Sequence, residues 1–204
     1  MKLFYAPTSP YVRKVMVLLI ELGLDQKVER ITGATTPMAA NTTLSAMNPL
    51  AKLPALAIDS GETLYDSRVI CEYLDSQFGG GRFFPQGGAA RWTALRRQAL
   101  GDGLLDAALL VRYEETARPA EKRWSDWSSG QWGKVARAID AIEREAASLG
   151  STFDIGTITL VCALEYLDLR FPDRDWRPAH SKTARWLKTL SQHPSLKATT
   201  PPKS

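Results

Sequence analysis

The first residues that could do chemistry form the Thr-Ser-Pro-Tyr segment at positions 8–11. This segment follows a strand-like run, and Ser9 followed by Pro10 is typical of a helix start, with serine as the N-cap and proline in the first turn. The exposed N–H groups and the dipole of such a helix favour an anion. We therefore expect Ser9 to cap a helix and to offer its hydroxyl to an anionic group, although an isolated Ser-Pro pair more often serves only as a cap.

Two further segments place charges beside predicted element ends. Lys52 stands just before an edge strand that Pro54 interrupts, and because proline cannot donate to a ladder, Leu53 could offer its backbone N–H and C=O to an extended ligand. Asp66 and Ser67 stand at the start of another predicted helix, with Ser67 as the capping hydroxyl. There a ligand carboxylate would find N–H donors and Asp66 would attract an ammonium group. Each segment alone is more often structural than functional.

Alternating strand and helix patterns must position these segments. The strand-like runs and the apolar helical repeats follow the order β-α-β and then β-β-α, with a loop rich in Thr, Ala and Asn between the two groups. The predicted strands cover residues 2–6, 27–32, 56–58 and 63–65, and the predicted helices begin at Ser9-Pro10 and at Ser67. This order predicts a mixed sheet with helices on its faces.

The composition changes near residue 80. All six Trp lie in the second part of the chain, and a Gly- and Pro-rich stretch precedes them. The sequence therefore predicts an α/β domain over residues 1–77, a linker over 78–88 and an all-helical domain over 89–204.

Four helical patterns make up the second part. They cover residues 89–116, 121–147, a run from 155 that is apolar on nearly all sides, and 179–190. Ser151 and Asp154 have the spacing of a capping box for the third helix, which we expect to be buried at the centre of a bundle. Pro201-Pro202 predicts a loose tail.

The composition excludes several classes of protein. The chain has 204 residues with 44% hydrophobic and 24% charged residues, which is ordinary for a globular protein. No apolar run is long enough for a membrane span, and Pro7 comes too early for a signal peptide. Cys71 and Cys162 form no CxxC, and His180 and His193 have no metal-ligand spacing, so we predict a cytoplasmic protein with no metal site and no membrane partner.

The formal charge of +4 does not predict a nucleic-acid partner. Residues 1–76 hold seven Lys and Arg against eight Asp and Glu, so the excess of positive charge belongs to the second part. There the basic residues alternate with acids instead of forming one stripe. We expect a mixed, solvated surface and no nucleic-acid binding.

The ordered motifs together resemble a known family. The Ser-Pro-Tyr-Val run at residues 9–12 looks like the CPYC site of glutaredoxins with both cysteines replaced. The order of this run, the NPLAKLPAL and YDSRVICEYL segments, the linker and the helical half resembles a glutathione S-transferase over essentially the whole chain. The similarity is greatest to bacterial serine-type members, which are theta-, beta- or phi-like. The resemblance implies a thioredoxin-like N-terminal domain, an all-helical C-terminal domain, a homodimer and glutathione as co-substrate.

The resemblance also implies roles for the residues noted above. Ser9 would be the catalytic residue, donating a hydrogen bond to the glutathione sulfur, with Thr8 as the alternative hydroxyl. Lys52 would face the glycine carboxylate, Leu53 would pair through its backbone with the cysteinyl unit, and Pro54 would be the family's cis-proline. The γ-glutamyl ammonium and carboxylate would be held by Asp66, where the family more often has Glu, and by Ser67.

The resemblance specifies the residues of the electrophile site less closely than those of the glutathione site. Tyr11 and Tyr113 are the candidates, and either could instead be a packing residue. The leading hypothesis is conjugation of the glutathione thiolate to small hydrophobic electrophiles. The alternatives are a glutathione-dependent disulfide or reductive enzyme, which the lack of a cysteine at position 9 weakens, and a non-catalytic glutathione-binding scaffold.

Overall fold

The computed structural model describes residues 1–33 and 35–202. Ala34 of the predicted Thr/Ala/Asn-rich loop, and Lys203 and Ser204 at the end of the predicted tail, lie outside the described residues. The chain forms two compact units, one made of Met1–Gln86 together with the segment that begins at Pro194, and one made of Gly87–His193. The change of unit falls inside the predicted linker, whereas the segment from Pro194 belongs to the first unit and not to the helical one.

The first unit is built on a mixed sheet of four strands in the order β2-β1-β3-β4. The strands are β1 (Lys2–Tyr5), β2 (Glu29–Thr32), β3 (Ala55–Ala57) and β4 (Thr63–Leu64). β1 runs parallel to β2 and antiparallel to β3, and β4 runs antiparallel to β3. The predicted mixed sheet is confirmed, but β3 is an interior strand, so the predicted edge position is wrong.

In the described part of this unit, four α-helices and one π-helical turn at Asp75–Gly79 accompany the sheet. The four helices are α1 (Pro10–Glu21), α2 (Thr42–Met47), α3 (Ser67–Leu74) and, in the C-terminal segment, α8 (Pro194–Ala198). Leu44 of α2 packs against Phe4 and Ala55 in the core. The loop prediction for this region is therefore wrong in part. A helix of six residues is too short to show an apolar repeat, and Asn41, which accepts a hydrogen bond from the Leu44 N–H at 2.9 Å, was its only local signal.

A buried carboxylate in the first unit accepts hydrogen bonds from the backbone of the predicted linker. Asp75 is 1% exposed, and its Oδ2 accepts hydrogen bonds from the Phe83 N–H at 3.1 Å and the Phe84 N–H at 2.8 Å. Both phenylalanine side chains are buried. The predicted linker is thus anchored at its middle, because two apolar side chains and two N–H groups leave water together.

The second unit is all-helical, as predicted. Its helices are α4 (Gly88–Thr116), α5 (Ser125–Leu149), α6 (Ile155–Arg170) and α7 (Ser181–Leu190), with single 3-10 turns at Ala120–Lys122 and Arg177–Ala179. The apolar helix α6 is buried along most of its length, which confirms the sequence prediction.

The cap of α6 differs from the predicted one. Asp154 is the N-cap, and its Oδ1 accepts a hydrogen bond from the Thr157 N–H at 2.9 Å, while the Thr157 Oγ1 accepts one from the Asp154 N–H at 3.1 Å. The prediction of Ser151 as the cap is wrong by three residues. Aspartate caps as well as serine does, and the threonine three residues later completes the reciprocal box.

Glycines set a close, parallel packing of α4 on α6. A Cβ on Gly101 would lie 2.8 Å from the Thr159 Cγ2, and a Cβ on Gly156 would lie 2.6 Å from the Ala94 carbonyl oxygen and 2.7 Å from the Arg97 Cβ. The residues that face each other are therefore separated by a nearly constant number of positions in the sequence, 58 between Gly101 and Thr159 and 59 between Arg97 and Gly156. The same offset must place the ends of the two helices side by side.

Two kinds of feature are absent from the described residues. None of the helices there is long and apolar enough to cross a membrane. No group of three or more His, Cys, Asp or Glu side chains within the same residues is arranged to hold a metal ion.

Candidate functional site

Ser9 lies at the N-terminus of α1 as its N-cap, which confirms the predicted helix start. Its Oγ accepts a hydrogen bond from the Val12 N–H at 3.3 Å, and its own N–H donates to the Ala6 carbonyl at 3.1 Å. The side chain is half-buried, as is that of the neighbouring Thr8. Because the capping bond is long and uses only a lone pair of Oγ, the hydroxyl hydrogen can donate to a ligand beside the helix N-terminus.

The Lys52 segment leads directly into β3. Lys52 is exposed, and its carbonyl accepts a hydrogen bond from the Asn48 side chain at 2.8 Å, which fixes the backbone at that point. The peptide bond between Leu53 and Pro54 is cis. Leu53 precedes the paired residues of β3, so its backbone groups lie outside the ladder although the strand itself is interior.

At the start of α3 the cap is a carboxylate and not the predicted hydroxyl. Asp66 is the N-cap, with its Oδ1 accepting from the Arg68 N–H at 2.9 Å, whereas Ser67 is the first helical residue and is 1% exposed. The Asp66 side chain is exposed, and its Oδ2 lies 3.9 Å from the Arg68 Nε. Asp66 therefore offers a solvent-facing negative charge next to a helix N-terminus, and this combination suits a group that carries both an ammonium and a carboxylate.

The strand register brings these three segments to one end of the sheet. Phe4 pairs with Ala55, so the end of β1, which leads to Ser9, lies beside the start of β3, which follows Pro54. Leu64 pairs with Leu56, so the end of β4, which leads to Asp66, also lies beside the start of β3. The six predicted glutathione-site residues thus belong to the first unit and follow or precede strand ends on the same side. They are Ser9, Lys52, Leu53, Pro54, Asp66 and Ser67.

The two tyrosines predicted for an electrophile site belong to different helices. Tyr11 is half-buried in the first turn of α1, in the first unit. Tyr113 is half-buried near the end of α4, in the helical unit.

The sequence did not point to the group formed by Arg112, Tyr166 and Arg170 in the helical unit. The offset between α4 and α6 places Arg112 beside Arg170, one helical turn after Tyr166. Tyr166 is 3% exposed, and Arg170 donates a hydrogen bond to its hydroxyl. Burial raises the pKa of Tyr166, and Arg112 and Arg170 oppose that rise. Only the pairing of the helices, which depends on Gly101 and Gly156, could have revealed this group.

A cavity of about 230 Å³ lies within the first unit. One face of α1, the end of β1, Arg30 of β2 and the C-terminal segment line it, and the buried Arg13 donates to the Leu196 carbonyl at 3.1 Å. None of the six predicted glutathione-site residues lines this cavity.

Both halves of the chain match known domain families. Residues 8–77 match the glutathione S-transferase N-terminal domain, and residues 113–189 match the glutathione S-transferase C-terminal domain. The chain is 31% identical over 207 residues to the uncharacterized GST-like protein YibF of Escherichia coli, covering all of both chains.

Solved structures extend the comparison to ligands. A glutathione transferase family member from Pseudomonas fluorescens Pf-5, solved with bound glutathione, is 49% identical, has a TM-score of 0.96 and covers 98% of each chain. A second structure from that organism holds S-(propanoic acid)-glutathione, with 48% identity, a TM-score of 0.91 and coverage of 98% of this chain and 99% of that one.

Proposed function

Since this chain belongs to the glutathione S-transferase family, we propose that it conjugates the glutathione thiolate to small hydrophobic electrophiles. The observation that carries the proposal is the position of Ser9. Its hydroxyl lies at the N-terminus of α1, where it accepts a 3.3 Å hydrogen bond from the Val12 N–H, and it can donate its hydrogen to sulfur. A donor and a helix dipole together favour a thiolate over a thiol.

The chemical step follows from that contact. The Ser9 hydroxyl donates to the glutathione sulfur, lowers the pKa of its thiol and holds the thiolate in place. The sulfur then attacks the electrophile, so a new S–C bond forms while a leaving group departs with its electron pair or, in an addition, the neighbouring carbon takes up a proton. Thr8, one residue away, is the alternative donor if Ser9 only caps the helix.

The remaining residues of the site suit the charges of glutathione, which carries two carboxylates and one ammonium. In this proposal Lys52 faces the glycine carboxylate, and Leu53, next to the cis peptide bond of Pro54, pairs with the cysteinyl backbone. Asp66 takes the γ-glutamyl ammonium, and the helix start at Ser67 takes its carboxylate. The convergence of the three segments at one end of the sheet supports these roles.

The relatives support a glutathione ligand for this chain as well. The structure that is 49% identical holds glutathione, and the one that is 48% identical holds a glutathione conjugate. We propose in addition a cytoplasmic homodimer with a role in detoxification, and membership of the serine-type group stays a prediction. Cys71 and Cys162 are both buried, which lends no support to a reductive enzyme that uses its own thiols.

Two measurements test this function. We expect calorimetry to detect glutathione binding, and we expect turnover with an aryl halide such as 1-chloro-2,4-dinitrobenzene. Ser9→Ala should reduce kcat by at least about tenfold while leaving glutathione affinity nearly unchanged, because the variant removes the thiolate contact and the long 3.3 Å capping bond from the Val12 N–H but none of the proposed contacts to the charged groups of glutathione. Thr8→Val is the matched control and should retain activity.

The opposite results reject specific parts of the proposal. Absence of glutathione binding would reject the family activity for this chain. Binding without turnover on a broad panel of electrophiles would favour the non-catalytic scaffold. Full activity in Ser9→Ala with loss in Thr8→Val would transfer the catalytic role to Thr8.

A further inference from the structure

The first turn of α1 ties Ser9 to Arg13. The Ser9 Oγ accepts from the Val12 N–H at the long distance of 3.3 Å, and Pro10 has no N–H to donate. The Ser9 carbonyl accepts from the Arg13 N–H at 2.9 Å, which is the shorter of the two bonds. The position of the Ser9 hydroxyl therefore depends on how Arg13 is held.

The side chain of Arg13 is held by the C-terminal segment (residues 194–202). It is only 3% exposed although it carries a full charge. Its Nη2 donates to the Leu196 carbonyl at 3.1 Å, and its Nε donates to the Thr199 Oγ1 at 3.4 Å. The C-terminal segment belongs to the same unit as α1, although 183 positions separate Arg13 from Leu196. The buried guanidinium thus joins the first turn of α1 to this distant part of the sequence.

The C-terminal segment offers fixed acceptors for this guanidinium. Leu196 is fully buried in α8, and its carbonyl is among the last four of that helix, which lack an N–H partner within the helix. The Thr199 Oγ1 accepts from Arg13 and donates to the carbonyl of Ser195, another fully buried residue, at 2.9 Å. The segment is therefore packed in place at the residues that hold Arg13.

We propose that Arg13 is a positioning residue for Ser9, and that the C-terminal segment supports activation of the glutathione thiol through it. The role rests on the proposed function, because the position of the Ser9 hydroxyl matters only if that hydroxyl contacts the glutathione sulfur. In this role Arg13 touches no part of glutathione and takes no part in the bond changes. It fixes where the first turn of α1 presents its donor.

The expected effect is on activation of the thiol and not on affinity for glutathione. A hydrogen bond weakens steeply as its distance and angle depart from the optimum, and a displacement of about 1 Å costs up to about a hundredfold in rate. The proposed contacts of Lys52, Asp66 and Ser67 to the charged groups of glutathione do not involve α1. Loss of the Arg13 contacts should therefore lower kcat and leave binding nearly intact.

The test measures the pKa of the bound glutathione thiol by thiolate absorbance followed against pH. Arg13→Gln should move this pKa back toward its ordinary value by at least about half a unit and should lower kcat with an aryl halide about tenfold. Calorimetry should give a glutathione affinity within about twofold of the wild type. Arg13→Lys keeps a charged donor for the Leu196 carbonyl and should retain most of the wild-type pKa shift and kcat.

Two controls separate positioning from loss of charge and from loss of stability. Arg30→Gln removes the same kind of charge from an exposed position of β2 in the same unit. Asp154→Ala lowers the free energy of unfolding through the helical unit. Both variants should keep the wild-type pKa of the bound thiol, with urea unfolding confirming that every variant is folded under the conditions of the measurement.

A variant of the C-terminal segment tests the same contact from its other side. Thr199→Val removes the acceptor of the Arg13 Nε and should change the thiol pKa in the same direction as Arg13→Gln, by a smaller amount. The double variant should be no worse than Arg13→Gln alone, because the two changes remove one shared contact. If Arg13→Gln does not fold, Thr199→Val decides the question, and an unchanged thiol pKa in that variant overturns the inference.

Three other results also overturn the inference. They are a wild-type thiol pKa in Arg13→Gln, an equal change in the two control variants, and a loss of glutathione affinity with the thiol pKa unchanged. An unshifted thiol in the wild-type complex is a different result, because it rejects the proposed role of Ser9 instead.

Discussion

Replacing Asp154 by alanine removes the N-cap of α6, the most buried helix of the helical unit. The Asp154 Oδ1 accepts from the Thr157 N–H at 2.9 Å, and both residues are nearly closed to water, with 8% and 0% exposure. An exposed cap contributes about 1 kcal/mol. Here water cannot replace the lost acceptor, so the unpaired N–H raises the expected loss in the free energy of unfolding to about 2–3 kcal/mol.

Tryptophan fluorescence can follow this loss, because all six Trp lie in the helical half of the chain. Urea unfolding should give the expected loss for Asp154→Ala, with a fall in Tm of about 5–10 °C. Asp154→Asn keeps an acceptor oxygen and should lose less than about 1 kcal/mol. Asp126→Ala, at an exposed position in the first turn of α5, is the control and should change stability by less than about 0.5 kcal/mol.

One result would refute this reasoning. Ser151 is the cap that the sequence suggested, and Asp154 is the cap that the structure shows. If Ser151→Ala destabilised the protein more than Asp154→Ala, the helix would begin at the earlier residue and the assigned capping box would be wrong.

Two further variants of the helical unit give expected outcomes. Both ring nitrogens of His180 have acceptors, the Trp176 carbonyl at 2.7 Å and the Asp140 Oδ1 at 2.8 Å, so although burial lowers the pKa of His180, these hydrogen bonds raise it overall. Protonated His180 then adds about 1 kcal/mol to the free energy of unfolding; this contribution is complete below the unfolded-state pKa near 6.5 and is lost as pH rises through the raised folded-state pKa. Urea titrations should therefore show that His180→Gln destabilises the protein at pH 5.5 and is nearly neutral at pH 9. A difference in stability that stays constant between these two pH values contradicts this prediction. Gly156→Ala should cost about 2–3 kcal/mol in the same assay, because its Cβ would lie 2.6 Å from the Ala94 carbonyl oxygen, and an unchanged stability would mean that α4 and α6 are not packed this closely.

Local signals predicted those elements that a few neighbouring residues determine. Ser9-Pro10 located the start of α1, and the continuous apolar run after residue 155 identified the buried helix α6. The same signals failed where two residues could both act as caps. Ser67 and Ser151 were predicted to cap, but Asp66 and Asp154 do so, because a carboxylate one residue before the helix accepts the same N–H groups.

Features that depend on distant residues could not be predicted in this way. β3 is interior because β4 pairs with it, and the run of residues 55–57 alone cannot show that. Arg112 and Arg170 are adjacent only because two glycines let α4 and α6 approach closely in parallel. Among the proposed glutathione-site residues, the motifs supplied the identities, and the strand register supplied their convergence at one end of the sheet.

The central claim is that Ser9 stabilises a glutathione thiolate, and the pKa of the bound thiol tests it most directly. Thiolate absorbance of the glutathione complex near 240 nm, followed against pH, measures that pKa in the wild type and in Ser9→Ala. We expect the wild-type protein to lower the thiol pKa by at least about one unit from its ordinary value near 8.5, and we expect Ser9→Ala to return most of that shift. An unshifted thiol in the wild-type complex, or the same lowered pKa in Ser9→Ala, would contradict the claim.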